Sequence, residues 1–490
     1  MKKLNFIFIF LAALAFSCSK DGTLNTNPST DQLSGNSALN VSGPVIKVYP
    51  GSNDTKALTD AFALARTYGK NVVVKLMPGT FTIGMIEIRE FNGTFCGSGM
   101  GKTIITNSPD VTPDAVIALN KIPALITFIG GDVSVSDMTV EMPEALSWLG
   151  NNQMDMLLFS DYSVDFMPTK QHIGVNLNNI EVTGVLNYGN FFGVELSADI
   201  LNLFTFTALP GSIELRSNID ARVNNSKFSN FSWGVVVWGC KSGNISFGTE
   251  GGNIFAGNGT GLDVEENMGV NVKVMNNKFI CPANCWTGLY FVTGDQWWGG
   301  YTNFPLETVK EDLGNYEIRD NIFNIYYNDN GMVLWDAWRY VHPENPSWMK
   351  IICDHNTFND LEDLTLPLFG SNMKDVVISN NKIAGNAPDG GMYIAGLWLS
   401  DTSDPNYWLG WSDNCKILNN IFLQKNFIIG LNNDTHNFLI QGDLTNVTVN
   451  DNGVNNKVIG LKNPGHGLSK ECMDRIGRMR DDMHNRLSRH

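Results

Sequence analysis

Hydrophobic and polar residues alternate in short runs along most of the chain, and asparagine and glycine separate the runs. A pair ending in Asn, then one residue, then Phe or Ile, recurs at Asn276–Phe279, Asp320–Phe323, His355–Phe358, Asn380–Ile383 and Asn419–Phe422. Several copies are followed by a glycine-led alternating run, as in Gly261–Val264. Short strands separated by such turns predict a solenoid, in which stacked coils bury their inward residues together. Asn tolerates the left-handed turn angles, and stacked Asn side chains can form a hydrogen-bonded ladder.

The start of this region predicts a cap. A strand over Val45–Pro50 precedes a helix over Asp54–Tyr68, and a second strand covers Val72–Thr80. Asp54 is the expected N-cap residue and Gly69 the expected stop. Apolar residues at helical spacing are Ala57, Leu58, Ala61, Phe62 and Ala65.

This order of strand, capping helix, strand and Asn-marked coils resembles the pectate-lyase-like right-handed parallel β-helix superfamily over residues 45–460. The resemblance implies an all-β fold, a single-stranded right-handed parallel β-helix (solenoid) over residues 44–468. Residues 469–490 suggest a C-terminal capping helix, with a partner-binding helix as the alternative. The resemblance concerns fold more than chemistry, because this fold carries many functions.

The N-terminus has the features of a processing signal. Lys2 and Lys3 precede an apolar run that ends at Ser17-Cys18, so residues 1–17 are expected to be a lipoprotein signal peptide. The segment resembles Bacteroidetes-type lipoproteins, which implies lipidation of Cys18. Residues 18–43, rich in Ser, Thr, Asn and Gly, are the expected flexible tether. This arrangement predicts lipid anchoring at the bacterial outer membrane or cell surface; a soluble secreted protein is the alternative.

Charge and cysteine content limit the partners. The chain has 34 Lys+Arg against 49 Asp+Glu, a formal net charge of −15. An acidic surface argues against nucleic acid, and no internal apolar run is long enough for a membrane helix. Contact with a membrane is therefore expected through the lipid anchor only. Separately, the protein is expected to be a monomer. Cys281 and Cys285 could pair, although scattered cysteines are more typical of a core than of a disulfide framework.

Three motifs resemble known sites but lack their context. Gly97–Thr103 is similar to a phosphate-binding loop, but Cys96 stands where the motif requires Gly. Gly465–Gly467 resembles the histidine segment of polygalacturonases, whose companion acidic motifs are missing. Asp354-His355 is similar to a pectate-lyase motif, yet it occupies the turn position of the repeat, so we interpret it as structural.

Insertions mark one side of the predicted coils. They follow the glycine-led strand at 296–310, 337–347 and 400–413, with 143–169 as a possible earlier example. Equivalent turns of a solenoid stack, so these loops should form one wall. Eleven of the 12 tryptophans lie between Trp233 and Trp411. Aromatic faces stack on pyranose rings, which predicts a sugar-binding cleft. The candidate substrate-binding residues are Trp238, Tyr290, Trp297, Trp298, Trp335, Trp338, Arg339, Tyr393, Trp408 and Trp411.

Carboxylates beside these aromatics are the candidate catalytic groups, namely Asp263, Glu265 and Asp336. A carboxylate pair can serve as general acid and as base or nucleophile, and stacked acids could instead hold Ca²⁺; the sequence identifies no cofactor. Arg339 could bind an anionic sugar carboxylate. The sequence thus predicts an extracellular polysaccharide-acting protein, a glycoside hydrolase or a polysaccharide lyase. The alternatives are a non-catalytic glycan-binding or adhesive surface protein and a structural spike.

Overall fold

The computed structural model describes most of the region between residues 43 and 460. The described residues are 43–109, 124–142, 154–160, 172–185, 191–197, 219–238, 240, 243–267, 270–282, 285–293, 314–326, 330–336, 350–360, 366–371, 373–385, 391–395, 412–424 and 426–460. The predicted signal peptide, the tether and the C-terminal helix over residues 469–490 lie outside them.

Two large parallel sheets dominate the described chain. Sheet A has 23 strands. Its strands are β1 (Val45–Val48), β2 (Lys70–Leu76), β3 (Gly79–Ile83), β5 (Asn92–Cys96), β6 (Thr103–Asn107), β8 (Gly131–Glu141), β10 (Ile173–Thr183), β12 (Ile219–Asn224), β13 (Lys227–Ser229), β15 (Gly243–Phe247), β16 (Ile254–Ala256), β18 (Val270–Met275), β19 (Lys278–Cys281), β21 (Asn315–Arg319), β22 (Ile322–Ile325), β24 (Lys350–Asp354), β25 (Thr357–Asp360), β27 (Val377–Ser379), β28 (Lys382–Gly385), β31 (Lys416–Leu418), β32 (Ile421–Phe422), β35 (Leu439–Gln441) and β37 (Lys457–Ile459).

Sheet B has 12 strands, one from each successive coil. They are β4 (Ile86–Arg89), β7 (Ala124–Ile129), β9 (Met154–Ser160), β11 (Phe191–Ser197), β14 (Trp233–Trp238), β17 (Thr260–Asn267), β20 (Thr287–Thr293), β23 (Asn330–Asp336), β26 (Leu366–Ser371), β29 (Gly391–Ala395), β33 (Phe427–Leu431) and β36 (Val447–Asp451). A small parallel pair, β30 (Ser412–Asp413) and β34 (Thr435–His436), accompanies the last coils.

Each coil of the middle region passes through the sheets in the same order. In one coil, β18 and β19 belong to sheet A and β20 to sheet B, and each pairs in parallel with its equivalent in the next coil. Sheet A therefore contains two ladders. The first ladder runs through β12, β15, β18, β21, β24, β27, β31, β35 and β37, and the second through β13, β16, β19, β22, β25, β28 and β32. This repeated parallel stacking is the predicted parallel β-helix.

Asparagine joins the two ladders, as the repeat predicted. The first residue of each turn has left-handed backbone angles, with φ of 60° at Asn276, 56° at Asp320 and 55° at His355. The second residue is a buried Asn whose side-chain amide donates to the Oδ1 of the next. This ladder of side chains runs through Asn253, Asn277, Asn321, Asn356, Asn381 and Asn420. Each amide also donates to a backbone carbonyl, so the buried groups are satisfied.

A stack of phenylalanine rings fills the coil interior beside this ladder. Neighbouring centroids are 4.7 to 5.4 Å apart, with interplanar angles of 5° to 22°. The members are Phe228, Phe255, Phe279, Phe323 and Phe358. The Phe or Ile two positions after each Asn pair is thus the residue that each strand of the second ladder directs into the coil interior.

The capping helix α1 spans Asp54–Tyr68 and ends at Gly69, which has a φ of 84°. Its apolar stripe is buried as predicted. The predicted N-cap was wrong: Asn53 caps the helix by accepting the Lys56 N–H at 3.0 Å. Asp54 is the first helical residue, and its carboxylate accepts the N–H groups of Gly51 and Thr82. It ties the helix start to β3. No helix in the described part of the chain is long and apolar enough to cross a membrane.

Two further expectations need correction. Cys281 and Cys285 are both buried and form no disulfide with each other, so the pairing considered from the sequence is not present. Four other cysteines of the described residues are likewise buried and outside any disulfide, namely Cys96, Cys240, Cys353 and Cys415. Residues 143–169 are not one insertion, because β9 occupies Met154–Ser160 and pairs with both β7 and β11. The pair Asn151-Asn152 precedes this strand, but Met154 stands where the repeat has Phe or Ile, which is why the repeat pattern missed it.

Candidate active site on sheet B

The outward face of sheet B carries the candidate site. Strand alternation directs Leu262 and Val264 into the apolar core, which places Asp263 on the opposite side of β17. Asp263 is in register with Val236 of β14 and with Tyr290 of β20. Outward residues of successive strands therefore form straight rows along the axis of the solenoid.

Two of these rows contain the sequence-derived candidates. The central row runs from β11 to β29 and consists of Glu195, Val236, Asp263, Tyr290, Val333, Phe369 and Tyr393. The neighbouring row of backbone positions, two residues further along each strand, contains Ser197, Trp238 and Glu265 in register. Strand alternation thus places Asp263, Glu265, Tyr290 and Tyr393 on the outward face.

The central row holds two carboxylates that flank one apolar residue. Glu195 pairs with Val236, and Val236 pairs with Asp263. Strands are about 4.8 Å apart, so the two Cα atoms are about 10 Å apart along the axis. Glu265 lies two residues beyond Asp263 on the same strand, at about 7 Å. These acids form a group that can face one ligand from two sides.

Asp155 and Glu195 are acids that the sequence reasoning missed. Asp155 lies on β9 opposite Phe192, and both Asp155 and Glu195 are buried. The signal for Glu195 was available, because Gly193-Val194-Glu195 is a glycine-led alternating run like Gly261-Leu262-Asp263. The signal for Asp155 was not, since its strand lies in the segment interpreted as an insertion.

The sugar-binding cleft predicted from the sequence would expose these side chains to solvent, but the structure buries them. Asp263 and Tyr290 are each 1% exposed, Glu265 is 8% and Tyr393 is 6% exposed. Neighbouring rings account for part of this burial. The ring of Trp286 packs edge-on against that of Tyr290, with centroids 4.7 Å apart, and the ring of Phe369 stacks on that of Tyr393, with centroids 6.1 Å apart. Side chains one strand spacing apart cover one another.

Several candidates cannot be placed in this geometry. The backbones of Trp335 and Asp336 end β23, with Asp336 in register with Thr293, and their side chains lie outside the described residues. The side chain of Trp238 lies outside them as well. The loop residues outside the described part are Trp297, Trp298, Trp338, Arg339, Trp408 and Trp411. In the described residues, no group of three or more His, Cys, Asp or Glu side chains could hold a metal ion.

Asp354 and His355 belong to a different part of the molecule, at the turn between the two ladders. Asp354 is a largely buried carboxylate that pairs with Arg319 at 3.0 Å and accepts from His355 Nδ1 at 2.6 Å. Ser379 and Asn380 also donate to it. Burial acts to raise the pKa of Asp354, but hydrogen bonds from Ser379, Asn380 and His355, with the attraction of a charged His355, outweigh it and lower the pKa. These contacts join consecutive coils, which agrees with the structural interpretation.

The chain was compared with known proteins. No family model matches it, and no curated protein sequence matches it. Similar solved structures include the A-module of the mannuronan C-5 epimerase AlgE4 of Azotobacter vinelandii, at 13% identity over 85% of this chain and 96% of that one, with a TM-score of 0.43.

Two further structures have comparable scores. The Dettilon tailspike protein gp208 has 12% identity over 84% of this chain and 68% of its own, with a TM-score of 0.48. The catalytic unit of an α-1,3-glucanase from Streptomyces thermodiastaticus has 11% identity over 84% of this chain and 66% of its own, with a TM-score of 0.39. Likeness at this level assigns no activity to this chain.

Proposed function

We propose that the protein acts on a polysaccharide that lies along the outward face of sheet B, as a glycoside hydrolase. The observation that carries the proposal is the pair Glu195 and Asp263, two buried carboxylates directed to the same side and separated by one strand. The same row continues with three aromatic residues, Tyr290, Phe369 and Tyr393, and with Val333 after the first of them. Carboxylates that accept hydroxyl hydrogen bonds beside aromatic rings suit a sugar chain.

The separation of the acids allows inversion of configuration, which is the stereochemistry that we propose. Inverting glycosidases hold their carboxyl groups about 6.5 to 9.5 Å apart, and retaining enzymes about 5 to 5.5 Å. Glu195 and Asp263 have Cα atoms about 10 Å apart, and Asp263 and Glu265 about 7 Å. A glycan parallel to the axis would have its scissile bond between Glu195 and Asp263. One acid would protonate the leaving oxygen while the other activates a water molecule on the opposite face of the ring.

Asp263 and Glu265 remain proposed catalytic residues, with Glu195 added, and Asp336 is proposed at the edge of the same face. Trp238, Trp335 and the tryptophans of the inserted segments remain proposed sugar-binding residues. Polysaccharide lyase activity is the alternative chemistry, and Arg339 would then pair with a uronate carboxylate.

A non-catalytic glycan-binding or adhesive role is the second candidate. The burial of Asp263 favours it, because a catalytic acid must reach its substrate. The two functions differ in whether a product forms: a hydrolase cleaves the glycan, whereas a binding protein retains it unaltered.

The experiment is a panel of polysaccharides incubated with the protein. New reducing ends indicate hydrolysis, and unsaturated products that absorb in the ultraviolet indicate lyase chemistry. Retention of a glycan on affinity gels without either product supports the adhesive role. If no polysaccharide is cleaved or retained, the proposal is wrong.

We further propose the organisation predicted from the sequence: a signal peptide over residues 1–17, a lipid on Cys18, a tether over 18–43, and a helix over 469–490 that closes the solenoid. The protein would then be a monomer at the bacterial outer membrane or cell surface. Mass spectrometry of the mature N-terminus tests the anchor, since diacylglycerol on Cys18 adds a defined mass. An unmodified Cys18, or an N-terminus elsewhere, contradicts it.

A further inference from the structure

The outward face of the second ladder differs from the rest of the molecule. Its strands direct the stacked phenylalanines inward, so the residues on either side of each ring point outward. The row before the rings contains Lys227, Ile254, Lys278, Ile322, Thr357, Lys382 and Ile421. The row after them ends with Leu423. We call these two rows the lysine–isoleucine face.

Large apolar side chains are concentrated there. Four of the nine large hydrophobic residues exposed in the described part of the chain lie on this face. Ile254 is 39% exposed, Ile421 53% and Leu423 55%. Single exposed aliphatic residues are normal on protein surfaces, but a group on one flat sheet face marks an interaction surface.

The lysine–isoleucine face carries positive charge, whereas the chain as a whole is negatively charged. Lys278 and Lys382 are exposed, and neither row contains an acidic residue among its described positions. On β10, just beyond the first coil of the face, the row of Lys227 continues with Glu181, which pairs with Lys227 at 2.7 Å. Asp320, in the turn before Ile322, is a nearby exposed acid. On a chain with a net charge of −15, this is a local cationic and apolar surface.

We propose that the lysine–isoleucine face docks on an anionic phospholipid bilayer. Lipid phosphates would pair with Lys278 and Lys382, while Ile254, Ile322 and Ile421 enter the glycerol and acyl boundary. A soluble polyanion would pair with the lysines but leave the isoleucines in water, so a lipid surface fits both features better. The row is straight and about 29 Å long from Lys227 to Ile421, which suits a planar partner. This contact would add to the proposed lipid anchor.

Vesicle sedimentation tests this proposal. The full chain with Cys18→Ser, which carries no acyl group, is mixed with phosphatidylcholine vesicles with and without phosphatidylglycerol. Each lysine near an anionic surface strengthens binding about fivefold, so Lys278→Gln with Lys382→Gln should weaken it about 25-fold. Ile322→Ser with Ile421→Ser should weaken it further, and salt should weaken binding of the unsubstituted face.

The matched control is Lys416→Gln with Lys457→Gln, two exposed lysines on the first ladder with the same charge change. The proposal predicts that this variant binds as the parent does. Equal losses in both variants, or equal binding to neutral and anionic vesicles, would overturn it. Binding to soluble alginate or heparin that depends on Lys278 and Lys382, without vesicle binding, would overturn it as well. Urea midpoints confirm that each variant is folded.

Discussion

Glu195 and Asp263 lie in one row on the outward face of sheet B, with only Val236 between them. They are distant in sequence, and the solenoid brings them within about 10 Å because each coil advances one strand spacing. Both are buried, although both point away from the apolar core. This relationship defines the site more sharply than any local motif in the chain.

Replacing either acid should abolish most of the activity found on the polysaccharide panel. General acid or base catalysis contributes about 10² to 10⁴-fold, so Asp263→Asn and Glu195→Gln should each lower kcat by about that factor. The measurement is the initial rate of reducing-end formation. Glu317→Gln, on the first ladder, is the matched control and should retain full activity. Full activity in both site variants would remove these residues from the mechanism.

The asparagine ladder should be a major source of stability. Asn356 accepts from the backbone and side-chain amides of Asn321, and donates to the Ile318 carbonyl and to Asn381. Asn356→Ala leaves several buried polar groups without partners, which should cost about 2 to 4 kcal/mol in the free energy of unfolding.

Urea unfolding measures this cost. Asn315 provides the control, because its side chain is exposed and donates to Asn271 in an outer row. Asn315→Ala should change stability by less than about 0.5 kcal/mol. Equal effects of the two substitutions would mean that burying the asparagine ladder adds nothing to the free energy of unfolding.

Stability should fall in acid partly through Asp354. Its pKa is lowered in the folded protein, so its ionised form contributes stability above the unfolded value of about 3.9. That contribution is lost as the pH falls through the folded pKa. Compared with Asp354→Asn, the parent should be more stable at neutral pH, and the difference should shrink below about pH 4. Urea midpoints across this range provide the measurement, and a constant difference would contradict the linkage.

The core cysteines should be unreactive in the native protein. Burial raises the pKa of the Cys353 thiol to about 12 and that of Cys96 to about 11, so the reactive thiolate is scarce at neutral pH. Iodoacetamide at neutral pH should label neither residue until urea is added. Peptide mass spectrometry gives the answer, and the same digest without reductant should contain no Cys281–Cys285 crosslink. Rapid native labelling of Cys353 would mean that the coil interior opens readily.

Much of the fold was predictable because its signals are local. The left-handed turn needs Asn or a similar residue at Asn276 and Asn380, and the ring after each pair must face inward. The helix cap was misplaced by one residue because Asn53 and Asp54 are both good capping residues. The carboxylate of Asp54 is instead occupied by the N–H groups of Gly51 and of Thr82, and the second of these is a tertiary contact that sequence does not show.

The site was less predictable because it depends on register between coils. Asp263 could be identified from its own strand. Recognising Glu195 as its partner requires knowing how many strands separate the two residues. The unexpected strand β9 shows the same limit, since every residue of Met154–Ser160 is buried and no alternation of buried and exposed positions marks the strand. Burial of Tyr290 depends on Trp286, a contact that spacing alone does not reveal.

The most direct test is a crystal structure of the Glu195→Gln variant with an oligosaccharide of the polymer that the parent cleaves or retains. We expect the sugar chain to lie along the outward face of sheet B, parallel to the axis, with one glycosidic bond between residues 195 and 263. A sugar bound to sheet A, or one that crosses sheet B away from both acids, would contradict the account.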